Sequence, residues 1–393
     1  MQHDIVTSRG GLRLINAIAA AGVHSSLLVG WEHGKMKILF DIGTYERGFD
    51  AKEVFISHGH TDHIGSAVIH ARAIRAQKTM ATYYVPEACV ADLEFMRQAQ
   101  SRMDGEDIPM NIKVLRPGES VFIGPNNNFR VMAFATEHRV ESQGYAVYSQ
   151  NVLAKAKVHP DYAMLSGKEL GELKMKGTVI TTEKKVEEHL DLVYTGDTTF
   201  NGLLNCPTLP CDELFSADIF IVECTYLDGD RGRALKWQHV HVDDLVEQAS
   251  RFETVSQLII THISVRYQPW GRVIELLQAR LPPEMHSKTA VTLREFGSGG
   301  QLTGLQSAYK KARRSRGVPG GAWGKVSAVR ARARGSQALS VAHREAQTGH
   351  DRDDNATRGK SRRRGGASPM RKVREEGIEG ESKNGTVFCT DKG

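Results

Sequence analysis

His58-Gly59-His60-Thr61-Asp62-His63 places three imidazoles and a carboxylate within six residues. The preceding Val54–Ser57 reads as a strand, so His58 and His60, on its extension, point the same way because side chains alternate along extended chain. Asp62 and His63 follow as the chain turns at Gly65 into a helix, where they face a second point nearby. Imidazole nitrogen and carboxylate oxygen are donors that zinc accepts. Four donors in one loop do not complete two catalytic zinc sites, so the rest must come from elsewhere. Three candidates stand at the ends of apolar runs: His138 after Phe129–Thr136, Asp197 in Tyr194-Thr195-Gly196-Asp197-Thr198, and His262 closing Ile259-Ile260-Thr261-His262. Strand ends are where a rigid scaffold presents loop-borne site residues.

The elements that must position these residues are legible as alternating strands and helices. Ser25–Trp31 and Met36–Ile42 read as strands before the ligand loop, and Ser66–Gln77 as the helix after it. A second helix is predicted from Pro86, a favoured first-turn residue, to Asp104-Gly105, with Leu93, Met96 and Met103 on its core face. Further strands are predicted at Phe129–Thr136, Gly144–Ser149, Leu192–Thr195, Ile219–Glu223 and Leu258–Thr261. Asp243–Phe252 and Val273–Leu281 read as amphipathic helices. Strands followed by alternating strands and helices predict sheets sandwiched between helical layers, an α/β architecture.

The chain has 393 residues, 40% hydrophobic and 25% charged, enough for one large domain or two ordinary ones. Five cysteines at this length argue against a disulfide scaffold and for a reducing compartment. No apolar run approaches the roughly 20 residues of a membrane span, and Met1–Gly11 carries no secretory pattern, which points to a soluble intracellular protein. The net charge of +6 is unevenly spread. Lys310–Gly393 holds 21 Lys and Arg against 9 Asp and Glu, leaving the rest of the chain at −6. That asymmetry suggests contact with nucleic acid. The tail is rich in Arg, Gly, Ser and Ala and poor in large apolar residues, so burial cannot offset the entropy of ordering it. The expected division is therefore a folded domain over 1–302 and a disordered basic tail over 303–393.

The His58–His63 stretch resembles the HxHxDH signature of the metallo-β-lactamase superfamily, and His138, Gly196-Asp197-Thr198 and His262 resemble its remaining metal motifs, in order. Ser142-Gln143-Gly144-Tyr145, Val222-Glu223-Cys224-Thr225-Tyr226-Leu227-Asp228 and Thr261-His262-Ile263-Ser264-Val265-Arg266-Tyr267 narrow the likeness to RNase Z, the endonuclease that removes 3′ trailers from precursor tRNA, in its short plant-type form. The resemblance covers roughly residues 15–285. It implies an αββα sandwich with two zinc ions per chain at one edge. It places His58, His60 and His138 on one metal and Asp62, His63 and His262 on the other, with Asp197 bridging. It also implies that Asp62 holds and deprotonates the attacking water.

The resemblance further implies a Glu–His pair that protonates the leaving ribose oxygen, carried here by Glu223 and His239. A carboxylate behind an imidazole keeps it charged and aimed, as a general acid requires. The sequence departs from the commoner His-Glu-Ala-Thr spelling of this motif: Val222 stands at the histidine position and Cys224 at the small residue. His241 rivals His239, which is preferred from its alignment. Arg266 is a candidate phosphate partner through its planar fork, and Thr198 a candidate donor to a phosphate oxygen, with turn capping as its other role.

Between Ser149 and Leu192, where many RNase Z enzymes extend a long arm that grips tRNA, seven lysines (Lys155, Lys157, Lys168, Lys174, Lys176, Lys184 and Lys185) are offset by seven acidic residues. Residues 150–190 therefore read as a shortened arm or insert. The expected function is a zinc-dependent endoribonuclease acting on precursor tRNA and leaving a tRNA 3′-hydroxyl. The alternative is another hydrolase of the same fold, such as a cyclic-nucleotide phosphodiesterase or an arylsulfatase-like enzyme. A third class, an RNA-binding protein without catalysis, is disfavoured because no ligand is missing. The resemblance implies a homodimer. The expected location is intracellular, cytoplasmic or nuclear, with an organelle left open.

Overall fold

A computed structural model describes residues 6–46, 49–154, 158–178, 185–229, 231–293 and 301–305. Its strands divide into two sheets. The first contains β1 (Leu12–Ala20), β2 (His24–Trp31), β3 (Lys37–Phe40), β4 (Glu53–Phe55), β5 (Thr82–Val85) and β6 (Asn111–Val114), in that spatial order. β1, β2 and β3 pair antiparallel, and β3 through β6 run parallel. The second contains β7 (Ser120–Ile123), β8 (Phe129–Ala135), β9 (Gln143–Ala154), β10 (Lys185–Tyr194), β11 (Ile219–Glu223), β12 (Gln257–Thr261), β13 (Thr289–Leu293) and β14 (Gln301–Gly304). β7 to β10 form an antiparallel meander, β10 to β13 run parallel, and β14 closes the edge antiparallel.

Three apolar clusters define four layers, αββα. The middle one joins the sheets face to face through Leu27, Phe40, Phe55, Tyr145, Tyr194 and Ile221. On the outer face of the first sheet, Leu39, Val54 and Tyr83 pack under α2 (Ala67–Ala76), which follows the short α1 (Thr61–Ile64), and under α3 (Val90–Asp104). On the outer face of the second, Val193, Phe220, Val222 and Ile260 pack under α5 (Phe200–Leu204), α6 (Cys211–Leu214), α8 (Val242–Glu247) and α9 (Trp270–Arg280). Strands buried on both faces read as unbroken apolar runs, as β11 and β12 do. The remaining helices are α4 (Gly167–Met175) and α7 (Arg231–Trp237). Among the described residues no helix is long and apolar enough to cross a membrane.

β8 runs parallel to β10 because both are antiparallel to β9. The C-terminal ends of β8, β10, β11 and β12 therefore share one edge, the edge that carries the chemistry.

Several expectations need correction. Met103 is 72% exposed: residues 102–107 are all exposed, so the last turn of α3 runs past the sheet, while Leu93 is buried and Met96 half-buried. Asp243–Phe252 is not one helix; α8 stops at Glu247 and a 3₁₀ turn spans Ala249–Phe252. The nine-residue β1 and the short strands β5, β6, β7, β13 and β14 were not predicted. β14 carries paired backbone two residues past the expected boundary at 302; the tail from 306 lies outside the described residues. The 150–190 insert is the end of the β9–β10 hairpin. Its described part holds the capped helix α4, with Lys168, Lys174 and Lys176 exposed. Lys155, Lys157 and Lys184 lie outside the described residues.

Candidate metal centre

The loop after β4 is held in place from three sides. Gln143 N–H donates to Ser57 O at 3.0 Å, and the Tyr145 hydroxyl to Ile56 O at 2.6 Å. These bonds give the Ser142–Tyr145 stretch a physical role: it clamps the strand that presents His58. On the other side Gly43 lies against Asp62, where a Cβ would come 1.8 Å from the Asp62 carbonyl oxygen. Only glycine fits there. Gly196, at φ +59°, turns the chain from β10 so that Asp197 enters the same space, and a Cβ on it would meet Ser57 Cβ at 2.6 Å.

All seven candidate donors converge. His58, His60, His138 and Asp197 form one group, with His58 Nε2 at 3.0 Å and His138 Nε2 at 3.3 Å from His60 Nδ1. Asp62, His63 and His262 form a second, with His63 Nε2 to His262 Nε2 at 3.2 Å and His262 Nε2 to Asp62 Oδ2 at 3.3 Å. Asp197 Oδ2 lies between them: 3.4 Å from His63 and His262, 3.8 Å from His58 and 4.0 Å from His138. The convergence joins residues up to two hundred positions apart.

Hydrogen bonding fixes which nitrogens are free to bind. His138 Nδ1–H donates to Gln238 O at 3.0 Å, and His63 Nδ1–H to the Asp41 carboxylate at 2.7 Å. Ser57 Oγ donates to Asp41 and therefore accepts from His58 Nδ1–H at 3.0 Å. Thr225 Oγ1 donates to Glu223 at 2.8 Å and accepts from His262 Nδ1–H at 3.1 Å. Each of the four rings thus turns Nε2 to the centre, and these outer partners orient the rings as they do around bound metals. His58 Nε2 and His138 Nε2 approach His60 Nδ1, and His63 Nε2 approaches His262 Nε2, at 3.0–3.3 Å, a convergence of ring nitrogens that a bound cation would satisfy. Asp197 Oδ1, fully buried, has no hydrogen-bond partner. The residues fit metal binding.

Electrostatics agree with that donor chemistry. Burial, reinforced by its histidine neighbours, holds His58 well below the ordinary imidazole range; burial also lowers His60 and His138. Against burial, which favours their neutral forms, facing histidines pull the Asp62 carboxyl down to about 2 and keep Asp197 far below its usual range. The carboxylates are anionic and these imidazoles neutral at neutral pH, as metal ligands must be. His63 differs: burial opposes its charge, but Asp197 and Asp41 outweigh burial and raise it.

Glu223, at the end of β11, is fully buried and accepts from His239 Nδ1 at 2.8 Å, from Thr198 N and from both Thr225 donors. Burial disfavours the His239 charge, but the Glu223 carboxylate overrides it and lifts His239 to about 9. His239 borders a cavity of about 430 Å³ that is also lined by His60, Asp62, Asp197, His262, Arg139 and Trp237. His241 is buried elsewhere: its Nδ1 accepts from Asp243 N at 3.1 Å as the N-cap of α8. Of the two histidines, His239 meets the carboxylate. Cys224 packs in the core behind the sheet.

Arg266 is exposed, with its guanidinium 5.0 Å from the Tyr226 ring centroid and no carboxylate in ion-pairing range among the described residues. Thr198 does not reach the cavity. It is fully buried, its hydroxyl donating to Thr199 O and accepting from Glu137 N, so the turn consumes it and the expectation of substrate contact is corrected. Sequence reasoning missed Asp41, Ser57 and Thr225, which hold the second nitrogens of His63, His58 and His262. Only Asp41 left a signal, a carboxylate inside the apolar run Met36–Ile42.

Residues 44–263 match the beta-lactamase superfamily domain, the class that this fold and donor set define. The tRNase Z TRZ1 of Arabidopsis thaliana is 30% identical over 266 residues, spanning 66% of this chain and 89% of the relative. The chloroplastic tRNase Z TRZ2 of the same plant is 30% identical over 262 residues, spanning 64% and 68%. Among solved structures, human tRNase Z, short form, aligns over 65% of this chain and 93% of its own at 17% identity, with a TM-score of 0.41. The chain belongs to the tRNase Z (ribonuclease Z) family of that superfamily.

Proposed function

We propose that this protein is a zinc-dependent endoribonuclease that removes the 3′ trailer from precursor tRNA by hydrolysing one phosphodiester and leaving a 3′-hydroxyl on the tRNA. The observation that carries the reading is the position of Asp197 Oδ2 between two donor groups, beside a His239–Glu223 pair on the same cavity. His58, His60 and His138 would hold one zinc and Asp62, His63 and His262 the other, with Asp197 shared, giving two per chain. When bound, such cations supply positive charge that stabilises the developing oxyanions and makes water a usable nucleophile near neutral pH.

The chain's own groups supply the rest. Asp62, ionised and fixed by Gly22 N–H at 2.9 Å, accepts the proton of the attacking water. His239, protonated at neutral pH and aimed by Glu223, donates from its other ring nitrogen to the leaving 3′-oxygen. Arg266, without a carboxylate partner among the described residues, pairs with a substrate phosphate. In the same reading the catalytic domain, expected over 1–302, extends through the end of β14 at Gly304, 150–190 is a shortened arm, the working form a homodimer and the location intracellular, in cytoplasm or nucleus, with an organelle left open.

The test is to incubate purified protein and zinc with a precursor tRNA transcript and map the product ends. A mature 3′-hydroxyl end supports the reading. An intact trailer from folded, zinc-loaded protein, together with turnover of small cyclic or aryl diesters, favours the alternative hydrolases.

A further inference from the structure

Within the cavity wall, one aromatic ring lacks any task in the chemistry above. Trp237, the last residue of α7, is 37% exposed, whereas Tyr226, the other aromatic of the wall, is 6% exposed and already faced by Arg266. The Arg139 guanidinium lies 4.5 Å from the Trp237 ring centroid, and Lys236 Nζ lies 5.9 Å from it. Arg139 has no carboxylate in ion-pairing range among the described residues and directly follows His138. Arg233, four residues before Trp237 on the same helix face, is exposed too. An open indole beside cations that have no carboxylate in ion-pairing range among the described residues is the equipment of single-stranded nucleic-acid binding: the ring stacks a base of any identity and the cations take the backbone.

The placement selects which nucleotide. His239 must touch the leaving 3′-oxygen, so the ribose bearing that oxygen sits against His239, and its base falls within one nucleoside length. Trp237 is two residues from His239, in a turn fixed by His239 N–H to Ala234 O at 3.0 Å. Its neighbour Gln238 is held through its carbonyl to His138. Ring and proton donor are therefore positioned by one rigid turn.

We propose that Trp237, braced by Arg139, is a stacking platform for the base of the nucleotide immediately 5′ of the cleaved bond, and that Arg139 pairs with that nucleotide's 5′ phosphate. This rests on the endoribonuclease reading. The site takes an unpaired base by its π-face without hydrogen-bond readout, so it positions the leaving ribose without selecting sequence.

The test is a double-mutant cycle between protein and RNA, with kcat/KM measured for wild type, Trp237→Ala and Trp237→Phe. The substrates are a precursor tRNA and the same RNA with an abasic residue either 5′ or 3′ of the cleaved bond. Removing the 5′ base from the wild-type substrate should cost about 5- to 150-fold, the range of one base–aromatic stack. Trp237→Ala should cost as much on intact RNA and add little on the abasic RNA, while Trp237→Phe should recover most of the loss. Independent, multiplying losses, no loss, or coupling only to the 3′ base overturns the platform. Wild-type protein that leaves all RNA intact overturns the endoribonuclease reading and the platform with it. Cleavage of RNA without coupling to the 5′ base overturns the platform alone. The abasic arm on wild-type protein is independent of whether Trp237→Ala folds.

Discussion

Asp41→Asn isolates the contribution of the buried carboxylate that lies behind the metal centre. Its side chain is fully buried and takes four donors. Ser57 N–H reaches Oδ1 at 2.6 Å, while Ser57 Oγ at 2.8 Å, His63 Nδ1 at 2.7 Å and the Tyr194 hydroxyl at 2.5 Å all reach Oδ2. Asparagine keeps the shape but turns one acceptor into a donor. With its amide nitrogen at the Oδ2 position it opposes three donors; flipped, it opposes the Ser57 N–H. Either orientation leaves at least one buried donor unpaired, which costs about 1–3 kcal/mol. It also removes the charge that fixes the Nδ1–H tautomer of His63, and loss of such an outer partner typically weakens metal affinity about 10- to 100-fold. The assay is zinc titration against a chromophoric competitor, alongside melting of metal-free protein. The expected result is a 10- to 100-fold weaker phase for the metal held by His63, and a lowered Tm without metal. Unchanged affinity in a folded Asp41→Asn protein would refute the role given to this carboxylate.

Three further outcomes follow from the same geometry. His239→Ala should lower kcat on precursor tRNA by roughly 100- to 10,000-fold, the span of a lost general acid, while elemental analysis finds metal content unchanged; a loss that tracks metal loss would assign His239 to the metals instead. His70, buried against Tyr83, has its pKa pushed down to about 4 by burial. The unfolded chain, at the ordinary value near 6.5, takes up a proton that the fold refuses. Stability should thus fall as pH drops from about 6.5 towards about 4, by up to roughly 3 kcal/mol. His70→Gln should flatten that slope in Tm measured against pH, and parallel slopes would contradict it. Gly196→Ala forces a Cβ into Ser57 at a left-handed φ, so it should lower both Tm and zinc affinity; an unchanged zinc titration would show that this turn does not set Asp197.

The centre was legible in unequal parts. His58 to His63 announce themselves because their spacing is local and every member is a metal-donor type. His138, Asp197 and His262 are each unremarkable alone, and were legible because each ends an apolar run that had to be a strand. Asp41, Ser57 and Thr225 were not, since their work is to hold another residue's second nitrogen, a relation that no spacing records. Thr198 misled for a related reason: a hydroxyl beside a key carboxylate says nothing about which way it turns, and here the backbone claims it. Buried strands such as β2, β11 and β12 were legible from hydrophobic runs, whereas β1, longer and mostly buried, was not. The short edges β7 and β14 and the exposed last turn of α3 depend on where the neighbouring layer stops, which the pattern along one segment does not contain.

The measurement that bears most directly on the account is anomalous diffraction at the zinc edge from crystals of the full chain. The account predicts two peaks about 3.5–4 Å apart, one contacted by His58, His60 and His138, the other by Asp62, His63 and His262, with Asp197 reaching both. A single peak, or peaks lying away from these side chains in an otherwise intact fold, would contradict it.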